Sequence, residues 1–135
     1  MAEQKAFVLH VRPYQENQQL VELLTEHDGK VSALVYVGQS KRSIKKGVLQ
    51  PFLPLNVTFK DDGTNRTTLR MLTRVEANSK SYILTKNNLY SAFYINELLV
   101  RLLTDDIICE VLFSQYQSTL IALSQDLPIA PQLRA

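Results

Sequence analysis

The sequence predicts an α+β fold, mainly β: a small five-stranded antiparallel barrel followed by an α-helical segment. Three observations carry that expectation. Short runs rich in β-branched and aromatic residues alternate apolar with polar positions up to about residue 77. Asp28-Gly29 and Asp62-Gly63 stand between such runs, and both residue types tolerate the positive φ of a tight hairpin turn. After Asn78 the apolar period changes from two to between three and four. The expected division is a barrel over residues 1–80 and a helical segment over 81–135.

The first strand is expected over Lys5–Arg12, where Ala6, Phe7, Val8 and Leu9 form an apolar run that stops before Pro13. His10 falls at its polar end. Gln18–Glu26 is read as the second strand. Leu20, Val21, Leu23 and Leu24 also recur at helical spacing, so a helix is the competing assignment, but the segment runs straight into the Asp28-Gly29 turn. Lys30–Val37 is the third strand, with Val31, Ala33, Val35 and Val37 alternating against Ser32, Leu34 and Tyr36. Pro51 and Pro54 punctuate the chain before a fourth strand over Leu55–Lys60. The fifth strand, Thr67–Ala77, is expected to put Leu69, Met71, Thr73, Val75 and Ala77 on one face. Arg70 and Arg74 then share the other, about 14 Å apart at the rise of an extended chain.

In the helical part Ile95, Leu98, Leu99, Leu102 and Leu103 make an i, i+3, i+4, i+7, i+8 stripe, with Asn87 or Asn88 as the expected N-cap. Glu97 and Arg101 form an i, i+4 pair of favourable order. Thr104, Asp105 and Asp106 break the pattern and are suited to cap a second helix, expected from Ile107 to Leu123. Its expected buried face carries Ile108, Val111, Leu112, Gln115, Tyr116 and Leu120. The end from Leu127, with Pro128 and Pro131, is expected to be irregular.

With 135 residues, 45% of them hydrophobic and 21% charged, the composition is that of a globular domain with a real core. The longest apolar runs are short and broken by charges, so none is expected to span a bilayer, and the N-terminus does not resemble a signal peptide. The expectation is a cytoplasmic protein with no membrane partner. Cys109 is the only cysteine and reads as a small buried hydrophobe between apolar neighbours.

Net charge is +2, unevenly distributed: residues 1–81 hold 12 Lys and Arg against 8 Asp and Glu, and residues 82–135 hold 3 against 5. The helical segment, net acidic with an apolar stripe, is therefore expected to be structural. Within the first part, Gly38–Phe52 concentrates Lys41, Arg42, Lys45 and Lys46 with no acid. Four like charges so close repel one another, which is the pattern of a surface that meets an anion, nucleic-acid phosphate being the commonest. The competing reading is an ordinary solvated basic loop.

No catalytic constellation, glycine-rich phosphate loop or metal-ligand spacing stands out. Asp61 with Asp62 and Asp105 with Asp106 fall at a turn and a helix start. The expectation is therefore a protein that is not an enzyme, with no cofactor, metal or small-molecule substrate. Among aromatic residues of the barrel (Phe7, Tyr14, Tyr36, Phe52 and Phe59), Phe7 and Phe59 read as core, and Tyr14 and Tyr36 as candidate platforms for base stacking.

Periodicity alone leaves an SH3-like barrel or an open meander as alternatives. Three stretches in order narrow the choice: Ala6–His10; Ser40, Lys41, Arg42, Ser43, Lys46, Gly47, Gln50, Pro51 and Phe52; and Leu89–Leu99. Together they resemble the RecO family of bacterial recombination mediators. The resemblance implies an OB-fold barrel, binding of single- and double-stranded DNA, strand annealing, and loading of RecA with RecR and the single-strand-binding protein. Family members generally continue into a larger C-terminal region. Some carry a four-cysteine zinc module, which this sequence lacks. The DNA-binding residues expected are Lys41, Arg42, Lys45 and Lys46, with Arg70 and Arg74 on the fifth strand, holding phosphates rather than reading bases. The alternative is an OB-fold protein-interaction module without direct DNA binding, and an enzyme with an unrecognised site is third.

Overall fold

β1 (Gln4–Pro13) is buried on both faces, and the rest of the architecture follows from that. Its continuous apolar run Ala6–Leu9 sends Ala6 and Val8 into a barrel and Phe7 and Leu9 outward under helices. The computed structural model describes residues 3–37, 46–60, 70–103 and 110–125. The remaining strands are β2 (Gln18–Thr25), β3 (Gly29–Tyr36), β4 (Leu55–Phe59) and β5 (Arg70–Ala77). A 3₁₀ turn at Lys46–Val48 precedes β4, and α1 (Lys86–Leu102) and α2 (Glu110–Gln125) follow β5.

The strands close into a barrel in the order β1-β2-β3-β5-β4, with β4 returning to β1. This is the predicted five-stranded barrel of an OB-fold followed by helices. One seam departs from the all-antiparallel expectation: β3 and β5 run parallel, pairing Ala33 with Arg70 and Leu34 with Met71. Five strands cannot alternate direction all the way round a closed ring, so one parallel neighbour pair is a consequence of closure.

Gln18–Thr25 is a strand, not a helix, because the Asp28-Gly29 turn holds it against β3. Gly29 takes φ 71°, Thr25 Oγ1 donates to Gly29 O at 2.7 Å, and Asp28 N donates to Thr25 Oγ1 at 3.0 Å. The Asp62-Gly63 turn and Cys109 lie outside the described residues.

Two bulges set which side chains face the core. On β1, Val8 pairs with Leu23 and His10 with Glu22, leaving Leu9 as the extra residue that turns toward the helices. On β5, Arg74 pairs with Thr58 and Leu72 with Phe59, leaving Thr73 extra. That bulge overturns the alternation expected for this strand. Leu72 is buried in the barrel and Val75, three residues on, also packs inward. Arg70 therefore belongs to the inward row at the barrel edge and Arg74 to the outward one, so the two do not share a face.

The helices pack on the outside of β1 and β2 around Phe7, Leu9 and Leu24, with Phe7 5.2 Å from the Tyr116 ring and 5.5 Å from that of Phe113. The buried line of α1 is centred on Ala92 and Asn96 rather than on the leucine stripe. Leu99 and Leu103 border it, whereas Leu102 is 72% exposed. Asn96 explains the rotation: its Oδ1 accepts the Tyr116 hydroxyl at 2.5 Å, and its Nδ2 donates, at a long 3.5 Å, to the carbonyl of the bulge residue Leu9. A polar side chain at the centre of the packed face was invisible to a pattern built on leucines. The N-cap is Thr85, not Asn87 or Asn88, and Asn88 instead donates to Leu123 O at 3.0 Å, joining the helices. In α2, Phe113, Tyr116 and Leu120 are buried, while Val111 and Gln115 of the expected face point to solvent.

Candidate nucleic-acid interface

One end of the barrel brings together Tyr14 and Tyr36, the two residues expected to stack bases. Pro13, lacking an N–H, closes β1, and Asn17 adopts φ 62°, which asparagine tolerates. Tyr14 N donates to Gln18 O at 3.1 Å, Gln18 N to Gln15 O at 2.8 Å, and Val37 N to Asn17 O at 2.9 Å. Gln18 pairs across to Tyr36. Tyr14, 47% exposed, and Tyr36, 52% exposed, therefore emerge at the same end, where the chain leaves β3 for the basic run.

Lys41, Arg42 and Lys45 lie outside the described residues, and Lys46 opens the 3₁₀ turn on the return. The return stem is tightly fixed. Gln50 Nε2 donates to Gly47 O at 2.8 Å, Pro51 bridges to Val8, and Leu49 and Leu53 plug the barrel. Phe52 takes φ 69°, a left-handed conformation that costs a bulky residue on the order of 1–3 kcal/mol. Compensation comes from the Phe52 carbonyl, which accepts Tyr82 N at 2.9 Å and Ser81 Oγ at 3.3 Å, and from its ring, buried edge-on 5.0 Å from Phe93. Leu49 and Leu53 in the barrel core and Phe52 in the cluster under the helices thus anchor this stem in both cores, and the buried Phe52 ring offers no face for base stacking.

Arg70 sits elsewhere. Its Nη1 donates to Asp28 Oδ2 at 2.8 Å, and its guanidinium lies 5.2 Å from the centre of the Phe59 ring. Gln4 completes the cluster, its Nε2 donating to Asp28 Oδ2 at 2.9 Å and its Oε1 accepting His27 N at 2.9 Å. Burial alone raises the Asp28 carboxyl, but hydrogen bonds from Arg70 and Gln4, with the charges of Arg70 and His27, bring it below its ordinary value. Arg74 is exposed, 3.6 Å from Glu76. Sequence reasoning grouped the two arginines by spacing; it had no signal for Asp28, which is distant in sequence and was read only as a turn residue.

Lys30 is similarly committed. It is 6% exposed and pairs with Glu22 at 3.1 Å, while Ser32 Oγ donates to the same carboxylate at 2.6 Å. OB barrels commonly bind oligonucleotides on the β2–β3 face. Here Leu24 and Lys30 of that face are buried, so exposed cations and aromatics have to be sought at the loop-bearing end. Among the described residues no three His, Cys, Asp or Glu side chains converge as metal ligands, and no helix is long and apolar enough to cross a membrane.

Comparison with known proteins agrees with this architecture. The family model "Recombination protein O N terminal" matches residues 1–80. The DNA repair protein RecO of Tolumonas auensis is 45% identical over 130 residues, 96% of this chain and 53% of the relative. That of Haemophilus influenzae is 40% identical over 131 residues, 97% of this chain and 54% of the relative. That of Aliivibrio fischeri is 41% identical over 131 residues, 97% and 53%. The chain thus spans about half the length of the curated relatives it matches. By the family match over its barrel and by this similarity along nearly its whole length, the chain belongs to the RecO family of DNA repair and recombination proteins.

Proposed function

We propose that the chain is the DNA-binding part of a recombination mediator. It holds single- and double-stranded DNA by the backbone, promotes annealing of complementary strands, and helps load RecA together with RecR and the single-strand-binding protein. It performs no catalysis of its own and works in the cytoplasm, at the nucleoid during repair. Lys41, Arg42, Lys45 and Lys46 neutralise phosphates, Tyr14 and Tyr36 receive unstacked bases, and Arg74 is an accessory cation. Arg70, held by Asp28, contributes through the local field and the shape of the barrel.

The observation that carries this reading is the convergence of Tyr14, Tyr36 and the departure of the basic run at one barrel end. Backbone-dominated binding predicts little sequence preference. Electrophoretic shifts with unrelated single strands should differ by less than about tenfold, roughly 1.4 kcal/mol. A larger preference contradicts the mode. A second reading, an OB-fold protein-interaction module without direct DNA binding, is favoured by the exposed Leu102 and Val111 on the helices. It predicts no shift with any oligonucleotide.

A further inference from the structure

We propose that the outward face of α1 is a second nucleic-acid contact, a stacking platform for unpaired bases formed by Tyr90, Phe93 and Tyr94, with Lys86 one turn before Tyr90. The inference rests on the DNA-binding reading and adds a surface that the net acidity of the helical segment conceals.

That acidity is an average. Its carboxylates are Glu97, Asp105, Asp106, Glu110 and Asp126, whereas Ala77–Asn96 contains Lys80 and Lys86 and no acid. Both lysines are exposed, and neither is held by a carboxylate among the described residues. Lys86, Tyr90 and Tyr94 recur at i, i+4 and i+8, one row along the helix, with successive members about 6 Å apart along its axis. Tyr90 is 62% and Tyr94 64% exposed, and Phe93 beside them is 46% exposed. Inward-facing Ala92 and Asn96 hold the opposite side of the helix against the barrel, so the aromatic row is fixed outward by packing.

Two features favour a nucleic acid over a protein as the occupant. The exposed large side chains of α1 up to Tyr94 are aromatic, Lys86 stands in their row, and the neighbouring carboxylate on that face, Glu97, is paired with Arg101 at 2.7 Å, a combination that suits bases and phosphates together. The platform is also continuous with the arm that ends the basic run: Phe93 packs 5.0 Å from Phe52, two residues beyond the exposed Gln50, which itself is tied to Gly47.

The test compares the parent, the Tyr90→Ala/Tyr94→Ala double variant and the Tyr90→Phe/Tyr94→Phe double variant, binding a labelled single strand and a fully paired duplex at one salt concentration. The alanine pair should lose at least about tenfold affinity for the single strand, keep its affinity for the duplex, and melt as the parent does. The phenylalanine pair should keep single-strand affinity while losing part of the tyrosine fluorescence quenching that the strand produces, an emission readable because the chain has six tyrosines and no tryptophan. Unchanged single-strand binding by the alanine pair overturns the platform and leaves the DNA-binding reading standing. Equal losses for strand and duplex also overturn it, as does a change confined to self-association, which would make the face a protein interface. Failure of the parent to bind either DNA overturns the DNA-binding reading itself.

Discussion

Arg70 Nη1 lies 2.8 Å from Asp28 Oδ2, joining the first residue of β5 to the β2–β3 turn close to the parallel seam of the barrel. With Gln4 on the same carboxylate, the start of β1 is tied in as well. Among the described residues the parallel seam pairs Ala33 with Arg70 and Leu34 with Met71, and the cluster fastens β5 beside it.

Acid stability should report this cluster. The folded-state pKa of Asp28 is lowered, so its contribution is fully present above the unfolded value of about 3.9 and is lost as pH falls through the folded value. Asp28→Asn should lower stability near neutral pH by about 1 kcal/mol, given partners that are only partly buried, and should flatten the acid limb. Urea midpoints measured from neutral pH to below 4 check this. Parallel curves for parent and variant would remove Asp28 from the account.

Tyr116 should be silent in an alkaline titration. Burial pushes its phenol well above the ordinary value, only partly offset by the hydrogen bond to Asn96, so the neutral form is the folded one. Its share of stability is present below pH of about 10 and declines as pH rises above that. Tyr116→Phe leaves Asn96 Oδ1 without its donor and should cost about 1–3 kcal/mol. Thermal or urea unfolding measures the cost, and ultraviolet titration of parent and variant identifies the missing phenol.

The helices offer a paired contrast. Leu120 is 1% exposed and Leu102 72% exposed. Leu120→Ala should destabilise by about 2–5 kcal/mol, and Leu102→Ala should stay within about 0.5 kcal/mol of the parent. A loss for Leu102→Ala as large as that expected for Leu120→Ala in urea unfolding would show that the leucine stripe of α1, and not its Ala92–Asn96 line, faces the core.

The barrel was legible because β3 and β4 carry period-two patterns, β1 is an apolar run stopped by Pro13, and the Asp28-Gly29 turn decides β2 against a helix. What escaped was decided by contacts distant in sequence. The bulge at Thr73 reverses the faces of β5 without any glycine or proline to announce it. Asn96 sits at the centre of a packed helix face because Tyr116 and the Leu9 carbonyl give it partners, which no propensity reveals. Of the candidate site, the exposure of Tyr14 and Tyr36 was readable from alternation and loop position. Arg70 was put on the face of Arg74 because nothing local announces the Thr73 bulge, and its tie to Asp28, 42 residues away, was equally invisible. Gln50-Pro51-Phe52 was recognisable as a motif, but its anchoring role needed the two cores to be seen together.

The most direct measurement of the central claim is the salt dependence of single-strand binding by the Lys41→Ala/Arg42→Ala/Lys45→Ala/Lys46→Ala variant. If each residue meets one phosphate, the parent releases counterions with a slope near −0.7 per contact. The variant should then lose about 2.8 from the steepness of log K against log salt while unfolding as the parent does. A variant that folds normally and binds with the parent's affinity and slope would contradict the assignment and leave the basic run as a solvated loop.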